Sequence, residues 1–161
     1  IVFTSQGVPF FLQGEEFLRS KPIEGRPGEV SENSYNLPLY TNGLRYDLLS
    51  CNKDVFEYYK GLIAFRKAHK GLRMATQKEV EEHLVFFPDK AKNVVSFIIQ
   101  DEKEQIFVAY NANKDAVRIS LPEGEAWNLC VDGTKAGCDT LQQISGTYEI
   151  PGISCIAAYR F

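Results

Sequence analysis

The chain has 161 residues and a formal net charge of −3, with 44% hydrophobic, 24% charged and 12% aromatic residues. That composition belongs to an ordered globular protein and lacks the apolar depletion of disorder. Lys and Arg are scattered rather than clustered, which argues against nucleic acid or an anionic membrane as partner, and the chain is too short for a whole (β/α)8 barrel of about 250 residues.

Ile1 to Thr4 and Val8 to Leu12 are apolar runs without alternation, broken by Gly7 and Pro9. Such runs predict a strand covered on both faces in a parallel sheet. The opening lacks a basic leader and reaches Gly14-Glu15-Glu16 before the about 20 apolar residues of a membrane span, and the absence of an initial Met reads as a cut edge. Residues 14–49 show no sustained period and collect Pro22, Gly25, Pro27, Gly28, Asn33, Asn36, Pro38, Asn42 and Gly43. They predict a long irregular loop, of the kind usually kept for function.

A helix is predicted from about Lys53 to Lys70, with Asn52 as N-cap and Val55, Phe56, Tyr59, Leu62 and Ile63 on one face. Arg66, Lys67, His69 and Lys70 crowd its last turn, Gly71 supplies a C′ residue, and the helix is expected to pack on the apolar strand. Beyond Gly71 the period becomes two: Val117, Ile119 and Leu121 alternate with polar residues, as do Trp127, Leu129 and Val131. Further runs at His83–Phe87, Val94–Gln100, Gln105–Tyr110, Thr147–Ile150 and Cys155–Phe161 predict an antiparallel sandwich of seven or eight strands, uninterrupted by helix. The boundary falls near residues 71–78.

Glu15 and Glu16 follow the apolar strand, where barrel enzymes place catalytic groups, but adjacent residues on an extended segment point apart, so a structural role at the loop base is the competing reading. Asn33-Ser34-Tyr35-Asn36 sets amides and a hydroxyl beside an aromatic ring, a combination suited to sugar hydroxyls and a pyranose face and equally common in turns. His69 and His83 lack Cys or carboxylate partners at catalytic spacing and read as structural. Cys51, Cys130, Cys138 and Cys155 show no metal-type spacing; Cys130 and Cys138 flank a turn and either bridge or remain buried thiols, and the compartment stays open. Serine-hydrolase, phosphate-loop and zincin motifs are absent from the sequence.

Ser5-Gln6-Gly7-Val8-Pro9-Phe10, followed by Gly14-Glu15-Glu16-Phe17-Leu18-Arg19-Ser20-Lys21, resembles the eighth strand and following loop of the pullulanases, starch-debranching members of the α-amylase clan of glycoside hydrolases. Asn33 to Asn36, Tyr58 to Ile63 with Arg66 to His69, and Val108 to Asn113 are similar to later parts of the same family, in the same order. The resemblance implies an α+β fragment: the last strand, loop and helix of a (β/α)8 barrel over residues 1–72, then an antiparallel all-β sandwich over residues 73–161. It implies a parent enzyme that cleaves α-1,6 bonds of pullulan and branched glucans with retention. The catalytic carboxylates would lie upstream of residue 1, leaving no catalytic residue here. Asn33, Tyr35, Asn36 and, by likeness to a loop asparagine of the family, Asn42 are the implied substrate-binding residues.

Two departures stand out: Leu37-Pro38-Leu39-Tyr40 replaces a polar Ser-Pro-Asp run, and Leu48 stands where an aromatic residue is common. No metal or other cofactor is demanded. The expected partners are an α-glucan and the missing barrel, and a free fragment is expected to self-associate through residues 1–17. The alternatives are a stand-alone carbohydrate-binding or structural sandwich module, or a related α-1,4-glucan hydrolase; against the module, the sole tryptophan, Trp127, is predicted in the core.

Overall fold

The computed structural model describes residues 1–88 and 91–161. Two compact units emerge, one comprising Phe11–Tyr59 and the other Ile1–Phe10 with Lys60–Phe161. In chain order the elements are β1 (Pro22–Ile23), β2 (Arg26–Val30), α1 (Leu39–Asn42), α2 (Asp47–Cys51), α3 (Lys53–Ala68) and α4 (Gln77–His83), followed by eight strands. These are β3 (Leu84–Phe87), β4 (Val94–Gln100), β5 (Gln105–Asn111), β6 (Val117–Ser120), β7 (Trp127–Val131), β8 (Gln142–Ile144), β9 (Thr147–Ile150) and β10 (Ser154–Arg160).

Within the larger unit, six strands pair antiparallel in the order β3-β4-β5-β10-β7-β8, while β6 and β9 form a second, two-stranded sheet. One face of the large sheet presents Ile98, Phe107, Ala109, Ile156 and Ala158, which share a core with Trp127, Leu129 and Ile144 and with Ile119, Leu121 and Ile150 from the small-sheet side. Two sheets facing each other across one apolar core make the antiparallel sandwich that the alternating runs predict. Trp127 is fully buried in it.

The opposite face is covered too. Gly71 lies against Ile99 and Ile106, and the Tyr110 hydroxyl is 2.7 Å from Thr4 Oγ1. This double covering explains why four consecutive residues are buried in β4 (Ser96 to Ile99) and in β5 (Ile106 to Ala109). A strand wet on one face would alternate instead.

Several local expectations are corrected. The apolar opening forms no strand: Val2–Thr4 is a single 3-10 turn, and Val8 and Phe10 are 94% and 88% exposed. A strand buried on both faces needs neighbours on its edges to bond its backbone groups, and none pairs with it among the described residues. Its carbonyls are gathered by one side chain instead. Arg66, buried on α3, donates from Nη1 to the Phe3 and Ser5 oxygens at 3.0 and 2.6 Å and from Nη2 to the Gly7 oxygen at 2.6 Å.

The region expected to be irregular contains a bulged hairpin, β1–β2, whose tight turn uses Gly25 at φ 73°, and the short helices α1 and α2. Helix α3 ends at Ala68, close to its expected limit, but Gly71 is no left-handed cap. It sits in a following 3-10 turn, Lys70–Arg73, where a Cβ would come within 3.0 Å of Ile99 Cγ2, so close packing is what requires glycine there. Finally, residues 77–83 are helical rather than extended. Thr76 and Glu79 form a reciprocal capping box, which satisfies the first amides of α4 and fixes its start.

Candidate functional site

The smaller unit carries all four of the predicted substrate-binding residues, and its loop is held by a ladder of side-chain bonds. Gly14, at φ 100°, opens a 3-10 turn over Glu15–Phe17 that closes through Leu18 in a left-handed conformation at φ 59°. The Arg19 amide donates to the Gly14 oxygen at 2.8 Å, and Glu16 Oε2 accepts from the Gly14 amide at 2.8 Å. Glu16 therefore ties the loop base, while Glu15 is exposed beside it. A Cβ on Gly14 would stand 2.7 Å from Arg19 Cδ, so the glycine makes room for the arginine.

Arg19 then reaches across the loop. Nη1 donates to the Gln13 oxygen at 3.1 Å and Nη2 donates to the Asn42 backbone oxygen. Its Nε is buried with no hydrogen-bond partner among the described residues. The Asn42 amide nitrogen spends its two hydrogens on the backbone oxygens of Ser34 and Leu37, at 2.6 and 2.8 Å. Lys21 Nζ donates to Ser34 Oγ at 2.6 Å, and Thr41 Oγ1 donates to the Pro22 oxygen at 2.8 Å.

Ser34 and Thr41 are buried by these bonds, and Leu37 N closes a turn onto the Ser34 oxygen at 3.0 Å. With Ser34 pinned inward, Asn33, Tyr35 and Asn36 are left exposed, Tyr35 by 84%. The turn thus presents an aromatic ring flanked by two amides, and Asn42 stands beneath it, half-buried.

Among the described residues, the carboxylates with shifted pKa values are tied into caps, turns and an ion pair. Glu79 is held below its usual range by the Thr76 hydroxyl and by the Thr76 and Ala75 amides, all of which cap α4. Burial pushes Asp101 up, but the Lys103 and Glu104 amides outweigh it and leave the group low. Asp132 follows the same pattern, with the Thr134 and Lys135 amides and the Thr134 hydroxyl overcoming burial. Asp47 is lowered by the Arg45 guanidinium. Every resolved carboxylate shift among the described residues is downward.

His69 has a partner that its sequence neighbourhood hides. Its Nδ1 lies 2.7 Å from Glu104 Oε2, 35 residues away, with the ring between those of Phe65 and Tyr159 at 4.2 and 4.8 Å. Buried among rings with its bond satisfied, His69 braces the 3-10 turn after α3. His83 Nδ1 lies 2.6 Å from the Gln100 oxygen. Cys51, Cys130 and Cys138 are free thiols. No group of three or more His, Cys, Asp or Glu able to hold a metal occurs among the described residues.

Comparison with known proteins finds one family match and several relatives. The family described as "Pullulanase, all-beta domain" matches residues 80–135, the part of the chain that runs from α4 through β7. The pullulanase of Bacillus subtilis (strain 168) is 29% identical over 164 residues, taking in 99% of this chain and 22% of that protein. An isoamylase from Flavobacterium sp is 31% identical over 159 residues, with 82% of this chain and 20% of that protein covered.

Among solved structures, a pullulanase from Bacillus acidopullulyticus superposes with a TM-score of 0.88 at 33% identity, over 99% of this chain and 19% of that one. A pullulanase from Anoxybacillus sp. LM18-11, complexed with maltotetraose, superposes with a TM-score of 0.80 at 25% identity, over 99% and 22%. The chain therefore spans about a fifth of the length of these pullulanases and isoamylases. The pullulanase resemblance read from the sequence is met by these matches.

Proposed function

We propose that this chain is the C-terminal part of a pullulanase-type glycoside hydrolase that cleaves α-1,6-glucosidic bonds in pullulan and branched α-glucans with retention. The observation that carries the reading is the likeness, over 99% of the chain, to a pullulanase complexed with maltotetraose. In this reading residues 1–72 complete a (β/α)8 barrel and residues 73–161 form the accessory sandwich.

Asn33, Tyr35, Asn36 and Asn42 are the proposed glucan contacts. The exposed Tyr35 ring suits the apolar face of a pyranose, and the Asn33 and Asn36 amides suit its hydroxyls. Asn42, with both amide hydrogens committed, has only Oδ1 to offer a hydroxyl. In this reading the catalytic carboxylates lie outside the chain, so the segment contributes binding rather than bond cleavage, and alone it is inert.

Exposed Ile1, Val8 and Phe10 support docking of the opening segment onto the rest of a longer enzyme, or self-association of the 161-residue chain through residues 1–17. Light scattering separates these cases, since a strictly monomeric chain rules out self-association.

Reducing-sugar release from pullulan and from amylose, by the longer enzyme and by this chain alone, tests the function. Pullulan cleavage by the longer enzyme only is the expected result. Cleavage by the 161-residue chain itself would overturn the assignment of the catalytic carboxylates to residues outside it.

A further inference from the structure

We infer that Arg19 is a positioning residue for glucan recognition: it sets the conformation in which Tyr35 and its flanking amides are presented, without touching the sugar. The inference rests on the reading of the Asn33–Asn36 turn as a glucan contact.

The argument runs through hydrogen bonds. Arg19 fixes the Asn42 backbone oxygen, Asn42 Nδ2 fixes the Ser34 and Leu37 oxygens, and Lys21 fixes Ser34 Oγ. The Asn33, Tyr35 and Asn36 side chains stand outside this lattice and are exposed. Ordering a loop before the ligand arrives spares the association the entropy of ordering it, so affinity depends on the clamp as well as on the contact residues.

Two features show that the clamp is held at a local cost. Arg19 Nε is buried without a hydrogen-bond partner among the described residues, and the residue before it, Leu18, occupies a left-handed conformation that favours glycine. Gly14 at φ 100° clears the path of the Arg19 side chain. These two departures from local preference accompany the delivery of one guanidinium to the Gln13 and Asn42 oxygens, the pattern expected where a site rather than bulk stability decides the residue.

The test compares Arg19→Met with Tyr35→Ala in the 161-residue chain, by NMR titration with maltotetraose and by amide hydrogen exchange. For Arg19→Met, exchange at the Leu37 and Asn42 amides is expected to speed up and maltotetraose affinity to fall by about tenfold, the scale of a lost hydrogen bond to a charged group. Exchange in β5 stays unchanged, which separates a loop effect from unfolding.

Unchanged loop exchange or unchanged affinity in Arg19→Met, with Tyr35→Ala still weakened, overturns the positioning role while leaving the recognition loop standing. If maltotetraose leaves the Asn33–Asn36 resonances of the wild-type chain undisturbed, the recognition reading fails and the inference falls with it. Arg19→Lys serves as the conservative variant. One ammonium cannot bond both the Gln13 and Asn42 oxygens in the guanidinium's fork geometry, so it restores only part of the affinity.

Discussion

Arg160 lies over the indole of Trp127, with its Cζ 4.1 Å from the ring centroid, while its guanidinium donates to the backbone oxygens of Glu123 and Glu125 at 2.9 Å each. Its Nε also donates to Gln105 Oε1 at 2.7 Å. One side chain thus seals the edge of the core and closes the 122–125 turn. Arg160→Met keeps the length but loses the charge and the fork of donors. It is expected to destabilise the sandwich by about 2 kcal/mol, from a cation–π contact and charge-assisted hydrogen bonds, measured as a lower urea midpoint at unchanged slope.

Gly61 lies inside helix α3, where alanine is ordinarily the better residue by about 1 kcal/mol. Here a Cβ would stand 1.9 Å from the Ala136 carbonyl oxygen, a backbone atom that cannot swing aside. Gly61→Ala is therefore expected to reverse the usual sign and destabilise by about 2 kcal/mol net, once an overpacking cost is set against the helix preference. Thermal unfolding of the variant measures it, and a raised melting temperature would refute the close approach.

Leu18 offers the opposite case. It holds φ 59° and ψ 43° at a helix C-cap while its side chain is mostly exposed, so glycine would relieve strain and forfeit little packing. Leu18→Gly is expected to stabilise the 14–19 turn by about 0.5–1 kcal/mol. Slower exchange of the Arg19 amide, bonded to the Gly14 oxygen, is the readout.

The Cys130 thiol is pushed up to about 11 by burial, with smaller contributions from Cys138 and Asp139 opposed by a hydrogen bond with Thr140. At pH 8 only about one molecule in a thousand then carries its thiolate, so iodoacetamide is expected to label exposed Cys51 and Cys138 and spare Cys130 in the folded chain. The folded value lies above the ordinary thiol value of 9.0, so this group's contribution to stability is whole below pH 9 and is lost as pH rises through about 11. Labelling resolved by mass spectrometry at several pH values checks both statements.

Legibility from sequence followed covering. In β7, Trp127 and Leu129 face the core with Asn128 between them, and that period of two could be read directly. The paired runs at Val94–Gln100 and Gln105–Asn111 were also visible as strands, but their double burial depends on residues 1–10 and 60–75 and cannot be read from the runs themselves. The helix over Gln77–His83 was announced by Thr76 and Glu79 three residues apart, a signal masked by the apolar stretch that follows. In the candidate site, the four proposed contact residues could be named from their chemistry and the family likeness. The Arg19 and Asn42 pairing across 23 residues could not, because no local period relates a guanidinium to a distant carbonyl.

The strand order β3-β4-β5-β10-β7-β8 places β10, the last strand in sequence, in the interior of the sheet. During synthesis from the N-terminus, β3-β4-β5 and β7-β8 can each form early, yet each keeps a bare edge until Ser154–Arg160 leaves the ribosome and zips between them. A nascent chain arrested a few residues short of β10 would hold two half-sheets with nothing to join them, and its exposed β5 edge would be the natural place for a chaperone, or another unfinished chain, to bind.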